Sequence, residues 1–173
     1  MIGIVGGVGP LAGIDLFRKI TEQTPANCDQ EHLPVLLYSF PERIKDRTEF
    51  LEGKVKENPG IPIGQICLQL SKAGAKVAGI PCNTAHSPVI FNCILTILEK
   101  EGCSLKLINM ADETVKSIKQ LLPSGTKIGI LSTTGTYKEK IYYNKLVESG
   151  YIPVIPDEKM QAEMVHDSIY HPA

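Results

Sequence analysis

Apolar and polar positions along the chain alternate between two periods. The β-branched run at residues 2–5 predicts a strand, and Leu11, Ile14, Phe17 and Ile20 then recur at helical spacing up to about Gln23. Gly6-Gly7-Val8-Gly9-Pro10 lies between them as a strand-to-helix turn. Residues 34–39 predict a second strand. Residues 41–61, with Pro41, Arg43, Lys45, Asp46, Arg47, Pro59 and Gly60, read as a long polar loop with room for a helical turn. Ile63, Ile66, Cys67 and Leu70 mark a helix face that Gly74 closes, and residues 76–81 form a strand ending at Cys82. Ser87-Pro88 supplies an N-cap and a first-turn proline for a helix to about Lys100. A strand at 105–109, a helix at 112–122, a strand at 127–132 and a helix at 137–149 follow, the last capped by a box of Thr136 and Glu139. A strand at 152–155 and a helix from about Asp157 complete the series.

This order predicts an α/β fold of βαβ units around parallel sheet. The helix that ends at Gly102 marks a division into an N-terminal lobe, 1–102, and a C-terminal lobe, 103–173. The corners at 81–86 and 132–136 each place small hydroxyl or amide side chains at the carboxyl end of a strand, the edge at which open parallel sheets bind ligands. Two such edges facing one another make a site between lobes.

Composition narrows the function classes. The 173 residues carry 18 Lys+Arg against 19 Asp+Glu, a net charge of −1, with 43% hydrophobic residues, enough for a real core. No basic block suits the phosphates of nucleic acid. No apolar run approaches the ~20 residues that span a bilayer, and no basic leader precedes the first strand, so the chain reads as cytoplasmic. Five cysteines, Cys28, Cys67, Cys82, Cys93 and Cys103, with no CxxC, suit reduced thiols better than a disulfide framework.

Four segments carry candidate chemistry. Gly7-Val8-Gly9-Pro10-Leu11-Ala12 fits a loose dinucleotide fingerprint, but the acidic residue that should follow about 20 positions on is His32 here. A tight turn needing glycine, or an anion-accepting turn, accounts for it equally. In Pro81-Cys82-Asn83-Thr84-Ala85-His86 the thiol sits at a strand's end before a helix N-terminus, a place that favours thiolate. Asn83 and Thr84 can donate to a carboxylate or enolate, and His86 can tune the thiol; inert packing is the competing reading of Cys82. Asp46-Arg47-Thr48 is an anion clamp or a solvated charged loop. Cys28-x3-His32 and Cys82-x3-His86 fall in different units and make a poor zinc set; Cys67 and Cys93 read as core, Cys28 and Cys103 as loop residues, and His166 and His171 as surface.

The glycine opening, Thr24-Pro25-Ala26, Asp29-Gln30-Glu31-His32, Asp46-Arg47-Thr48, Pro81-Cys82-Asn83-Thr84-Ala85-His86 and Thr133-Thr134-Gly135-Thr136 occur in the order seen in the aspartate/glutamate racemase family, which the chain resembles over essentially its whole length. The resemblance implies two flavodoxin-like lobes related by pseudo-two-fold symmetry. It also implies racemisation of a small-molecule amino acid, aspartate or glutamate, by a homodimer that needs no cofactor, no metal, no nucleic acid and no membrane. In such a reaction one thiolate takes the α-proton from one face of Cα and a second thiol returns a proton to the other. Cys82 matches the first of these thiols. Arg47 matches the arginine that holds a substrate carboxylate, and Asn83, Thr84, Thr133, Thr134, Thr136 and the Gly7-Val8 turn match the remaining substrate contacts.

The sequence departs from the family pattern at several places. A second cysteine in a Gly-Cys-Thr motif is absent, and the lysine expected after Ile169-Tyr170 is replaced by His171-Pro172-Ala173. Val8, Gly13 and Tyr38-Ser39-Phe40 stand where methionine, threonine and asparagines are common. The expectation is a racemase-type chain whose C-terminal lobe is incomplete and whose racemisation is impaired. The alternatives are a non-catalytic binder of amino acids or dicarboxylates, a one-thiol isomerase or decarboxylase and, more remotely, a dinucleotide enzyme.

Overall fold

The computed structural model describes residues 1–170, so His171 lies outside the described residues. Strands β1 (Ile2–Gly6), β2 (Val35–Ser39), β3 (Val77–Gly79) and β4 (Lys106–Ile108) form a parallel sheet in the order β2-β1-β3-β4. Ile2 lies opposite Val35 on one side and Val77 on the other, and Val77 lies opposite Lys106. β1 is central and buried from Gly3 to Gly6, as a strand covered on both faces must be.

Its alternating side chains separate the two helical layers. Val5 joins the core made by α3 (Gly60–Lys72) and α4 (Pro88–Lys100), with Ile63, Ile66, Leu70, Ile90, Ile94 and Leu98. Gly6 instead faces α1 (Pro10–Gln23), where Gly13 comes close to its backbone. Because α1 lies against β1 and β2, the sheet beyond it is left as a groove of about 350 Å³, walled by Leu16, Ile20 and Met110 over a floor of Val77, Ala78 and Ile108.

β5 (Lys127–Gly129) and β6 (Ile152–Val154) form a second parallel pair. Against it pack α5 (Met110–Leu121) and α7 (Ile141–Glu148), around a small core of Val115, Leu146 and Tyr151 flanked by Ile118, Ile128 and Ile130. The Tyr151 hydroxyl donates to the Leu122 carbonyl at 2.9 Å. The expected division at 102/103 falls one strand before the break between the sheets, because β4 pairs with β3. Among the described residues no helix is long and apolar enough to cross a membrane.

Local chemistry explains where elements differ from expectation. The loop at 41–61 holds a 3-10 turn, Pro41–Arg43, and then α2 (Arg47–Leu51), which Asp46 caps by accepting from the Glu49 N–H at 2.9 Å. α5 starts at Met110, ahead of the expected residue 112, because the Asn109 side chain accepts from the N–H groups of Ala111 and Asp112. Ser87 caps α4 through its backbone alone, its hydroxyl buried without a partner.

The helix expected over 137–149 is two helices. α6 (Thr134–Lys138) ends early, Lys140 adopts a left-handed conformation with φ 52°, and α7 restarts at Ile141 in a new direction. The expected capping box does not form, because Thr136 lies inside α6 with its hydroxyl turned to Thr84. Asp157 caps the final helical segment by accepting from the Met160 N–H; Glu158–Met160 leads into a π-helical turn, Gln161–His166, and then Asp167–Tyr170.

Candidate active site

The carboxyl ends of β1, β3 and β5 and the start of α2 converge on one region. After β1 the chain turns at Gly7, whose φ of +80° and approach to the Phe40–Pro41 backbone exclude a side chain: a Cβ there would stand 2.8 Å from the Phe40 carbonyl carbon and the Pro41 nitrogen. Val8 is buried in the core, so only the backbone of this turn is left to meet a ligand.

After β3, Cys82 is half-buried at the edge of the main core, with its N–H donating to the Ile80 carbonyl at 2.8 Å. A 3-10 turn, Thr84–His86, separates it from α4, so the expected direct run from thiol into helix N-terminus is interrupted. His86 is buried and stacks on Phe91. Its Nδ1 lies 2.8 Å from the Cys82 carbonyl, and its Nε2 is turned toward the Ile108 backbone without a hydrogen bond of good geometry. Burial holds the imidazole below its usual value and therefore neutral. His86 thus acts on the backbone of Cys82, fixing the loop that carries the thiol.

Three hydroxyls from the two corners meet. Thr84 Oγ1 lies 3.0 Å from Thr136 Oγ1 and 3.4 Å from Thr133 Oγ1, and Thr133 donates to Thr136 at 3.3 Å. Thr84 and Thr136 are 7% and 2% exposed, so the triangle is an internal latch between the corners, in which Thr133 is the most open member. Gly135 permits this approach, since its α-carbon faces Thr48 and Thr84 at a distance where a methyl group would collide. The Thr134 N–H donates to His166 Nδ1 at 3.4 Å, so His166, expected at the surface, is half-buried against this turn. Gln161 reinforces it by donating to the Ser132 carbonyl at 2.8 Å.

Arg47 opens α2 beside Thr48. Its Nη1 reaches the Lys45 carbonyl at 3.4 Å, its Nε is buried without a partner, and among the described residues it makes no salt bridge. A guanidinium held this way keeps donors in hand beyond its one backbone contact. Just beyond α2, Glu52 bridges Lys54 at 2.8 Å and Lys138 of α6 at 3.0 Å; the Lys54 hydrogen bond first, and then that of Lys138, lowers its carboxyl to about 2.

One candidate site residue escapes a reading of sequence pattern. Tyr142, in the first turn of α7, donates from its phenol to Asn83 Oδ1, and it lines a cavity of about 280 Å³ together with Asn83, Thr114, Ile128, Ile130, Ser132 and Leu146. Gly135 stood within the Thr133–Thr136 motif, but its close approach to Thr48 and Thr84 comes from the structure.

The remaining thiols are placed elsewhere. Cys28 is exposed in the loop before β2, Cys103 precedes β4 at the opposite end of its sheet, and Cys93 lies on α4 against Gly60. Cys67 is buried in the core, where desolvation and then the neighbouring Cys103 push its thiol up to about 12. The pairs Cys28/His32 and Cys82/His86 belong to opposite ends of the sheet, and no group of three metal-ligating side chains occurs among the described residues.

Comparison with known proteins places these features in context. The family model described as Asp/Glu/Hydantoin racemase matches residues 5–169. The broad specificity amino-acid racemase RacX of Bacillus subtilis is 26% identical over 168 residues, covering 94% of this chain and 67% of that protein. Aspartate racemase of Picrophilus torridus superimposes with a TM-score of 0.77 at 30% identity, over 98% of this chain and 68% of that one. An aspartate racemase homologue from Pyrococcus horikoshii OT3, 21% identical, shares the fold with a TM-score of 0.69 over 98% of this chain and 70% of that one.

Proposed function

The chain belongs to the Asp/Glu/Hydantoin racemase family, and on that premise we propose that it acts on the Cα–H bond of an acidic amino acid, aspartate or glutamate, with Cys82 as the proton-transferring thiol and without a cofactor. The observation that carries the reading is the meeting of Cys82-Asn83-Thr84 with the Thr133–Thr136 turn and the unpaired Arg47. In this reading Arg47 takes a substrate carboxylate, and Asn83, Thr133 and the backbone of the Gly7-Val8 and Thr133-Thr134 turns surround the α-carboxylate. The substrate would lie between the corner that follows β3 and the corner that follows β5. Thr84 and Thr136 set the distance between the corners, and re-pairing of their hydroxyls is needed before either touches the ligand.

The step is a proton transfer. The Cys82 thiolate takes the α-proton, the Cα–H electron pair moves into the α-carboxylate as an enediolate, and Cys82 becomes a thiol. Donors aimed at that carboxylate stabilise the developing charge. Inversion requires a proton from the opposite face. Since none of the other four thiols stands at this corner, the proton returns mostly from Cys82 itself, and we infer exchange with retention in preference to racemisation.

The test is incubation with L- and D-aspartate and L- and D-glutamate in D₂O, reading α-deuterium by NMR and configuration by chiral chromatography. Exchange that outruns inversion and disappears in Cys82→Ser supports the reading; efficient two-way racemisation by this chain refutes the impairment. A second reading, a dicarboxylate binder, is favoured by the unpaired Arg47 alone. Thermal stabilisation by aspartate that survives Cys82→Ala and vanishes in Arg47→Ala, with no exchange in D₂O, selects it.

A further inference from the structure

We propose that Tyr142 is a positioning residue that sets which end of the Asn83 amide faces an anionic ligand at Cys82. The inference rests on the assignment of Cys82 to the reacting centre.

Asn83 is exposed and follows the thiol directly in the chain, so its amide can turn either way unless something holds it. The carbonyl end of that amide repels an anion and the NH₂ end attracts one. In the structure the Tyr142 phenol donates to Oδ1. With the carbonyl oxygen engaged, the group left to offer outward is the NH₂, a donor suited to a carboxylate or an enediolate. Tyr142 is itself held: it is half-buried, its ring lines the same cavity as Asn83 and Thr114, and the following turn of α7 is tied to α5 by the Lys145–Asp112 ion pair. Burial raises its phenol above the usual tyrosine value, against a smaller opposing effect of Thr114 and with the nearby Cys82 adding to the rise, so it stays a donor at neutral pH.

The backbone supports the same assignment. Lys140 occupies the left-handed region at φ 52°, unfavourable for a residue with a side chain, and the chain bends there. A helix continuing unbroken from α6 would carry residue 142 in another direction. The strained link is what turns Tyr142 toward a residue 59 positions away in sequence.

The experiment compares two alkylating reagents of similar size, iodoacetate, which carries a carboxylate, and iodoacetamide, which is neutral. In each the Cys82 thiolate attacks the CH₂ carbon, the C–S bond forms, the C–I bond breaks and iodide leaves. Rates at Cys82 are followed by peptide mass spectrometry, because Cys28 is also exposed. The parent ratio of iodoacetate to iodoacetamide rates is expected to exceed that of free cysteine. In Tyr142→Phe it falls roughly three- to tenfold, the size of one hydrogen bond, and in Asn83→Ala it falls at least as far. The double variant falls no further than Asn83→Ala.

A parent ratio no higher than that of free cysteine, an unchanged ratio in Tyr142→Phe, or a Tyr142→Phe effect that persists in the Asn83→Ala background each overturns the proposal. Alkylation needs no turnover. Absence of α-hydrogen exchange with both aspartate and glutamate therefore refutes the racemase reading separately, while the ratio decides the role of Tyr142.

Discussion

Gly135→Ala is a one-methyl probe of how the two corners are held together. The added Cβ would stand 2.8 Å from Thr48 Oγ1, 3.1 Å from Thr84 Cγ2 and 3.4 Å from the Thr48 α-carbon. Relieving the closest of these contacts requires α6 to withdraw from α2 by about 0.5 Å, or the Thr48 side chain to give way against its neighbours. Overpacking of this kind costs about 1–3 kcal/mol, while alanine in a helix is favoured over glycine by about 1 kcal/mol. The net expectation is a loss of up to about 2 kcal/mol in urea unfolding. The same withdrawal stretches the 3.0 Å Thr84–Thr136 contact to the limit of a hydrogen bond, so hydrogen exchange at the Thr133–Tyr137 amides should quicken. Thr48→Ala removes the nearest atom, and in its background Gly135→Ala should recover more than half of the loss, a coupling that independent sites do not show. A Gly135→Ala effect on stability that is the same with and without Thr48→Ala would refute the close approach of α6 to α2.

Three further outcomes follow from the same structure. Burial lowers the His86 imidazole below the ordinary value of 6.5, so unfolded chains bind a proton that folded chains refuse; stability is full above about pH 6.5 and falls as pH drops below it, and His86→Gln should flatten that slope in urea titrations between pH 7.5 and 5.5. Glu52 is depressed to about 2, so its bridges contribute above the ordinary carboxyl value of 4.5 and are lost as pH falls from there toward 2; because the group is largely exposed the contribution is at most about 1 kcal/mol, to be read as the difference between parent and Glu52→Gln at pH 6 and pH 3. Lys140→Gly should stabilise the chain by about 1 kcal/mol, since glycine relieves the left-handed strain; a destabilised variant would mean that Lys140 makes contacts worth more than its strain.

The first sheet was legible because its signals are local. A β-branched run, a glycine turn and a helical apolar period occur together at residues 2–23, and the β1–α1 unit forms there as expected. The corners were legible for the same reason, each being a strand end followed by small polar residues. Other features depended on distant partners. Thr136 looks like half of a capping box until Thr84, 52 positions away, takes its hydroxyl. The 137–149 segment reads as a single helix because no glycine or proline marks the break at Lys140. Tyr142 was hidden behind that helix, since its meaning depends on a direction that only the break creates. His166 looked exposed from its place near the C-terminus, whereas the π-helical turn carries it onto the Thr134 amide. Strand β4 was placed with the second unit because the helix ending at Gly102 marked the division, while hydrogen bonding assigns it to β3.

The two cores differ greatly in size: the first gathers a continuous set of side chains from a four-stranded sheet and two long helices, while the second, among the described residues, buries Val115, Leu146 and Tyr151. Native-state opening proceeds from the weaker region first. The second unit should therefore breathe while the first stays closed, and each opening carries off Tyr142 and the Thr133–Thr136 turn and leaves Cys82 behind on the rigid half. The assembled site is then a population, whose size is set by the docking of a three-residue core. A ligand that touches both halves works against that opening, and its clearest signature would be slowed exchange at the α7 amides, far from the thiol itself.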